Sequence, residues 1–333
     1  MSLRGAVIGF GKIAESTHVP ALAAAGLEVV AVAEAVPARR EAAARALPGV
    51  RVVADLEALL AGGGRLDFVD VCTPPHLHFA AAQAAAGAGL HVLCEKPLVT
   101  RSADGAALAT LAERQAVVVA CVHNWTQAPI LVRAREIVHS GALGELREMD
   151  LETLRTQPAA VATDAGNWRI DPERAGGGIL FDHGWHGMSI LVRTVGAKPR
   201  AVSGRIEKRK FRELAVEDTA EVRLEFAGGA RARFGATWAA AQRLNRCRIV
   251  CARGTIEIEN DRLRWPGGEE TFEESLAGGG YRPAWTAGIV LEFVTEIEKP
   301  ALRGRALTEA LTCLRLLVAT YESAARGGAP ITL

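Results

Sequence analysis

Over roughly the first 125 residues, short apolar runs alternate with alanine-rich stretches of helical spacing. The runs at 4–8, 28–33, 50–54, 68–72, 91–94 and 117–121 read as six strands, and the stretches between them as crossover helices, which predicts a doubly wound parallel α/β sheet. One such helix covers 77–86 and stops at Gly87 and Gly89, where glycine serves as a C-cap. The unusual residues of this half each follow a strand. Open α/β sheets hold their ligands outside the carboxyl ends of their strands, so that placement is itself a functional signal.

Beyond Gly141 the period changes. Segments 145–156, 201–210, 219–226, 230–238, 247–251 and 255–259 are strand-like, several with strict alternation, and Gly228-Gly229 closes a hairpin. They predict an α+β domain on one large, mainly antiparallel sheet, with one face on helices. The other face, carrying Arg, Glu and Lys among β-branched residues, is expected to meet a partner chain, giving a homodimer or homotetramer. A last helix at about 307–325 stops at Gly327-Gly328. The domain boundary is therefore expected at 124/125, dividing the chain into 1–124 and 125–333.

Composition narrows the function classes. The 333 residues carry 39 Lys+Arg against 38 Asp+Glu, a net charge of +1 with the signs mixed, which argues against nucleic-acid binding and membrane-surface binding. Apolar runs are too short to span a bilayer, and Met1 to Gly5 lead straight into a strand without a leader pattern, so a cytoplasmic location is expected. The six cysteines form no CxxC and read as buried reduced thiols.

The candidate chemistry starts at Gly9-Phe10-Gly11-Lys12-Ile13-Ala14, a GxGxxA loop between the first strand and the first helix. Glycines there permit a tight turn and let backbone N–H groups approach a pyrophosphate, while Ala14 allows close helix packing. Glu34 ends the second strand, where a carboxylate accepts hydrogen bonds from adenosine ribose hydroxyls and repels a 2′-phosphate; NAD is favoured. Arg39 and Arg40 are the counter-argument for NADP.

Three further segments complete the pattern: Cys72-Thr73-Pro74-Pro75-His76-Leu77-His78 after the fourth strand, Glu95-Lys96-Pro97 after the fifth, and the stretch from Gly176-Gly177-Gly178 to Asp182-His183-Gly184-Trp185-His186. With Trp168-Arg169, Leu143-Gly144-Glu145 and Gly254-Thr255-Ile256, the chain resembles the Gfo/Idh/MocA oxidoreductases over nearly its whole length. The resemblance implies an N-terminal Rossmann domain, a small-molecule substrate, and hydride transfer between a nicotinamide and a secondary alcohol or ketone carbon of a sugar, cyclitol or related metabolite. It further implies that Lys96 reaches the nicotinamide ribose and the substrate oxygen, that Thr73, Pro74, His78 and Glu95 border the cofactor, and that Lys96-Pro97 is cis.

Such a reaction needs a group to exchange the hydroxyl proton as the hydride moves. Free lysine, with a pKa of ~10.4, needs a partner base near neutral pH, and His186, at ~6.5, is suited to the task. Asp182 lies four residues before His186, on the same helix face, and can hold the substrate hydroxyl or orient Lys96; it can equally be a helix cap. Asn124, Trp125, Trp168, Arg169 and His183 are expected to contact substrate, with Trp185 as a further wall. Ser189 stands where the family often has an acid, and Asn124-Trp125-Thr126-Gln127 where it often has an Arg-aromatic pair. These departures point to a flatter or less hydroxylated substrate than a simple polyol. No metal is expected, because Asp182 and His183 are adjacent and lack a third spaced ligand. Two other readings stay open: an NAD-dependent glycosidase working by transient oxidation and elimination, and a non-catalytic dinucleotide sensor.

Overall fold

A computed structural model describes residues 2–159 and 167–333. The chain forms two compact units, one of residues 1–124 with 281–311, the other of 125–280 with 312–333.

In the first unit, β1 (Arg4–Ile8), β2 (Glu28–Ala33), β3 (Arg51–Val53), β4 (Phe68–Val71), β5 (His91–Cys94) and β6 (Val119–Cys121) make an all-parallel sheet in the order β3-β2-β1-β4-β5-β6. The order reverses between β1 and β4, and such a switch point is where a doubly wound sheet opens a crevice for its ligand. Both the glycine loop after β1 and Thr73-Pro74 after β4 leave the sheet at this point. The strands are apolar because both faces are covered: Val7, Phe68, Val69, Val71, Val92 and Leu93 are fully buried.

The helix Pro283–Glu298 also belongs to this unit, although the boundary drawn from sequence gives that segment to the second. Its Ile289, Val290 and Phe293 enter the core that Leu22 and Phe68 share, with the Phe68 and Phe293 rings edge to face at 6.0 Å. Burying an apolar stripe on a preformed sheet overrides sequence distance.

The second unit holds β7 (Leu146–Leu154), β8 (Pro199–Glu207), β9 (Thr219–Phe226), β10 (Arg231–Thr237), β11 (Leu244–Cys251), β12 (Gly254–Glu259), β13 (Arg262–Trp265), β14 (Gly268–Thr271) and β15 (Ile331–Thr332). Their order is β14-β13-β12-β11-β7-β10-β9-β8-β15, antiparallel except for the β7–β10 pair. Alternation sorts the residues between faces: Met149, Leu151, Val222, Leu224, Phe234 and Ile249 are buried. On the other face, Arg233 pairs with Glu221 at 3.0 Å and Glu152 at 3.2 Å across three strands. The helix Ile179–Val195 packs on the apolar face, and a Cβ at Gly187 would lie only 2.5 Å from the Phe234 ring. The last helix runs Arg305–Ala325. Among the described residues, no helix is long and apolar enough to cross a membrane.

Candidate active site

The glycine loop has the geometry of a dinucleotide cradle. Gly9 has φ +87°, and a Cβ there would press within 2.9 Å of the Thr73 methyl, whereas a Cβ on Gly11 would meet nothing within 4 Å. Gly9 thus provides the turn and Gly11 the open approach. Phe10 and Ala14 are buried, Ile13 packs against the core and Lys12 is exposed, so Phe10 and Ile13 offer a ligand their backbone rather than their side chains.

Glu34, 5% exposed, fastens the loop: one carboxylate oxygen accepts the Phe10 N–H at 2.6 Å and the other the Val36 N–H at 2.8 Å. Each oxygen keeps a further lone pair for a ribose hydroxyl. Arg40 donates to the carbonyls of Glu34 and Ala35 at 2.9 and 2.8 Å, which ties its guanidinium to the backbone. The buried Thr73 hydroxyl beside Gly9 has no protein partner among the described residues, as expected of a group kept for a ligand. These residues fit a bound dinucleotide.

His78 is buried between two carbonyls, Nδ1 2.6 Å from Pro97 O and Nε2 2.7 Å from Thr73 O. It therefore ties the Thr73 loop to the Glu95-Lys96-Pro97 loop. Burial lowers its pKa, although both carbonyls favour the protonated ring. The Lys96-Pro97 bond is cis.

Behind that loop lies a network the sequence did not disclose. A wide π turn at Ala14–His18, in which Val19 N–H donates to Ala14 O, carries His18 into the interior. Its Nδ1 lies 2.9 and 3.0 Å from the Asp70 oxygens and 3.2 Å from Cys72 Sγ, and its Nε2 lies 3.0 Å from Glu95 Oε1. The other Glu95 oxygen accepts the Lys96 N–H at 2.8 Å. Burial opposes the His18 charge, but Asp70 overrides it and raises the pKa well above the usual value. Burial likewise opposes the Glu95 charge, and His18 overrides it, lowering that pKa. His18, Asp70 and Cys72 form a group with metal-ligand atoms. Burial pushes the Cys72 thiol up to about 12, so it stays protonated, and the arrangement is explained as an ion pair with a thiol neighbour.

In the second unit, Asp182 and His186 stand one turn apart on the helix Ile179–Val195. Asp182 does not cap that helix. Glu217 does, accepting from Gly178 N–H at 3.1 Å and Leu180 N–H at 3.0 Å, and receiving the Tyr321 hydroxyl at 2.7 Å. The glycine run is explained by this packing: a Cβ on Gly178 would lie 2.1 Å from Glu217 O, and one on Gly177 2.2 Å from the Tyr321 hydroxyl.

Asp182 instead receives the Arg169 Nη1–H at 2.6 Å, and the same guanidinium covers the Trp168 ring at 4.5 Å. His183 Nε2 lies 3.7 Å from the second Asp182 oxygen. Trp125 stacks on His186, centroids 5.2 Å apart and planes 25° apart, and meets His183 edge-on at 6.3 Å. Asp182, His183, His186, Trp125, Trp168 and Arg169 are therefore one constellation within this unit. Asn124 is buried in the turn Asn124–Gln127. Trp185 is sealed in the core rather than walling a site, and Ser189 turns its hydroxyl to His186 O at 3.0 Å.

A family model described as an oxidoreductase family with an NAD-binding Rossmann fold matches residues 3–123, and one for the Gfo/Idh/MocA C-terminal domain matches 131–257. The chain belongs to the Gfo/Idh/MocA oxidoreductases. Its first unit is that family's NAD-binding fold. An uncharacterized oxidoreductase of Bacillus subtilis, YfiI, is 27% identical over 58% of this chain and 51% of its own length. D-xylose 1-dehydrogenase (NADP(+)) 2 of Haloferax volcanii is 31% identical over 68% and 67%. The chain thus spans about half to two thirds of these relatives. The solved structure of GenD2 from gentamicin A biosynthesis, in complex with NAD, is similar over 100% of this chain and 96% of that one, with TM-score 0.84 and 26% identity.

Proposed function

We propose that the chain is an NAD-preferring dehydrogenase that oxidises a secondary alcohol, or reduces the matching ketone, of a sugar, cyclitol or related small metabolite. The observation that carries this reading is the pair on one helix face: Asp182 held by Arg169 and His186 held by the Trp125 ring. A carboxylate and an imidazole fixed one turn apart can bind a hydroxyl and take its proton, which a protein that only binds dinucleotide does not need. The named activity of the Haloferax relative supports a sugar substrate. Glu34 directly after β2 and Arg40 tied to carbonyls support NAD over NADP.

When bound, the nicotinamide supplies the hydride acceptor or donor. In oxidation, His186 takes the hydroxyl proton and returns it in reduction, Lys96 holds the same oxygen as its charge changes, and Asp182 fixes the hydroxyl beside His186. Trp125 keeps the imidazole in plane, and the Glu95 side chain holds the Lys96 backbone N–H. Paired charges on the open sheet face, such as Arg231 with Glu148 at 3.2 Å, suit assembly through that sheet into a homodimer or homotetramer, which light scattering tests.

The test is the appearance of reduced nicotinamide when purified protein meets NAD and a panel of sugars, sugar acids and cyclitols. Turnover with at least one compound, lost in Lys96→Ala and His186→Asn, is expected. Cleavage of a glycoside with no net reduced nicotinamide would instead establish the glycosidase reading.

A further inference from the structure

Arg155 follows the last residue of β7 and is 3% exposed. Its Nη1 donates to Leu154 O at 2.8 Å and Leu244 O at 3.4 Å, and its Nη2 to Asn245 Oδ1 at 3.1 Å. All three acceptors are neutral. Among the described residues no carboxylate lies within ion-pair distance of this guanidinium, and its Nε–H, like the Asn245 Nδ2 group beside it, is buried with no acceptor. The guanidinium lies 5.8 Å from the centroid of the Trp125 ring, the ring on which His186 stacks.

We propose that Arg155 binds an oxyanion group of the substrate, a carboxylate or a phosphate, carried away from the carbon that reacts. This rests on the dehydrogenase reading of the same site.

A guanidinium remains charged across the physiological range, and a buried charge without a counter-charge is costly. Burial pulls Arg155 down to about 9, and the positive charge of Arg243 pulls it the same way, so it is still a cation at neutral pH. Asp182 acts on it with the opposite sign, but Asp182 is already engaged by Arg169 at 2.6 Å. Among the described residues, Arg155 thus feels Arg243 with the same sign and Asp182, already paired to Arg169, with the opposite one, which favours a ligand bringing negative charge. The geometry agrees: Nε–H is one arm of the side-on fork that matches two oxygens of a carboxylate or phosphate, and Asn245 Nδ2 adds a neutral donor. Merely tying the ends of β7 and β11 together would need hydrogen bonds but no charge.

The test measures binding by tryptophan fluorescence in NAD-saturated protein, with D-glucuronate and D-glucose 6-phosphate as anionic probes and D-glucose as the neutral control. Wild type is expected to bind one of the anions at least ~10-fold more tightly than glucose, and which one responds separates the carboxylate from the phosphate source. Arg155→Met should erase that preference and leave glucose unchanged, while Arg155→Lys, which keeps charge without the fork, should retain part of it. In turnover, Arg155→Met should lower kcat/KM for the anionic compound by about 100-fold, mostly through KM. Equal binding of all three probes by wild type, or a loss in Arg155→Met that is the same for charged and neutral probes, would overturn the proposal. If Arg155→Met does not fold, the Arg155→Lys preference decides. Failure of the dehydrogenase reading is seen separately, as anion binding sensitive to Arg155 with no reduced nicotinamide from any compound.

Discussion

The Trp125 and His186 rings lie almost parallel, centroids 5.2 Å apart, so an aromatic face sets the plane of the imidazole proposed to exchange the substrate proton. Stacking on the Trp125 ring fixes the plane in which the imidazole meets a substrate hydroxyl. Trp125→Leu should therefore lower kcat by about 100-fold with little change in cofactor affinity, because the proton acceptor is present but misaimed. His186→Asn should lower kcat by about 10² to 10⁴-fold and remove one limb of the pH–rate profile. A wild-type profile in His186→Asn would send the proton elsewhere.

Arg169 acts through Asp182. At 2.6 Å its Nη1 holds one carboxylate oxygen, and its guanidinium plane is braced on Trp168. Arg169→Met should leave Asp182 charged but unaimed, lowering kcat by about 10-fold or more, whereas Arg169→Lys, which restores the charge without the planar brace, should recover part of it. Equal kcat in wild type and Arg169→Met would show that Asp182 is positioned by its helix alone.

Legibility in the sequence followed the strength of local patterning. The alternation in the strand Thr219–Phe226 is readable because Ala220, Val222, Leu224 and Phe226 are buried while Glu221, Arg223 and Glu225 between them are not. β13 was not, since Arg262-Leu263-Arg264-Trp265 has Leu263 alone fully buried and looks like a charged loop. The glycine loop, Glu34, Asp182 and His186 could be proposed from the sequence because they stand at short spacings, and Lys96 because of the family resemblance. His18, Glu217 and Arg155 could not. Their partners Asp70 and Glu95, Gly178, and Asn245 are distant in sequence, and a lone histidine, glutamate or arginine in a chain ordinarily marks solvent.

Glu34 has two tasks that a substitution separates. Its oxygens hold Phe10 and Val36 N–H groups, and their remaining lone pairs are proposed to meet the adenosine ribose. Glu34→Gln keeps one carbonyl acceptor but removes the charge that repels a 2′-phosphate, so the ratio of kcat/KM for NAD over NADP should fall by about 10-fold. An unchanged ratio would remove Glu34 from cofactor choice. A fall in thermal stability without a change in ratio would leave it only the loop-holding role.

The His18 network gives the first unit a defined pH dependence. Because Asp70 raises the His18 pKa above its unfolded value of ~6.5, the protonated histidine contributes its full stabilisation below that value. As pH rises from there through the raised folded value, the native state holds a proton the unfolded chain has lost, and stability should fall by up to about 1.4 kcal/mol per pH unit. Glu95 has the opposite sign: its lowered pKa gives stability above the ordinary carboxylate value that is lost as pH falls through the folded one. Asp70→Asn removes the main counter-charge of a fully buried imidazolium and should cost about 3 kcal/mol at slightly acidic pH. It should also flatten the alkaline slope, since the main charge that raises the His18 pKa is gone and Glu95 alone faces the imidazole against the cost of burial. Denaturant melts of wild type and Asp70→Asn across neutral to alkaline pH check both statements; parallel curves would mean that His18 is neutral in the folded protein and that the Asp70 contact is a hydrogen bond without charge.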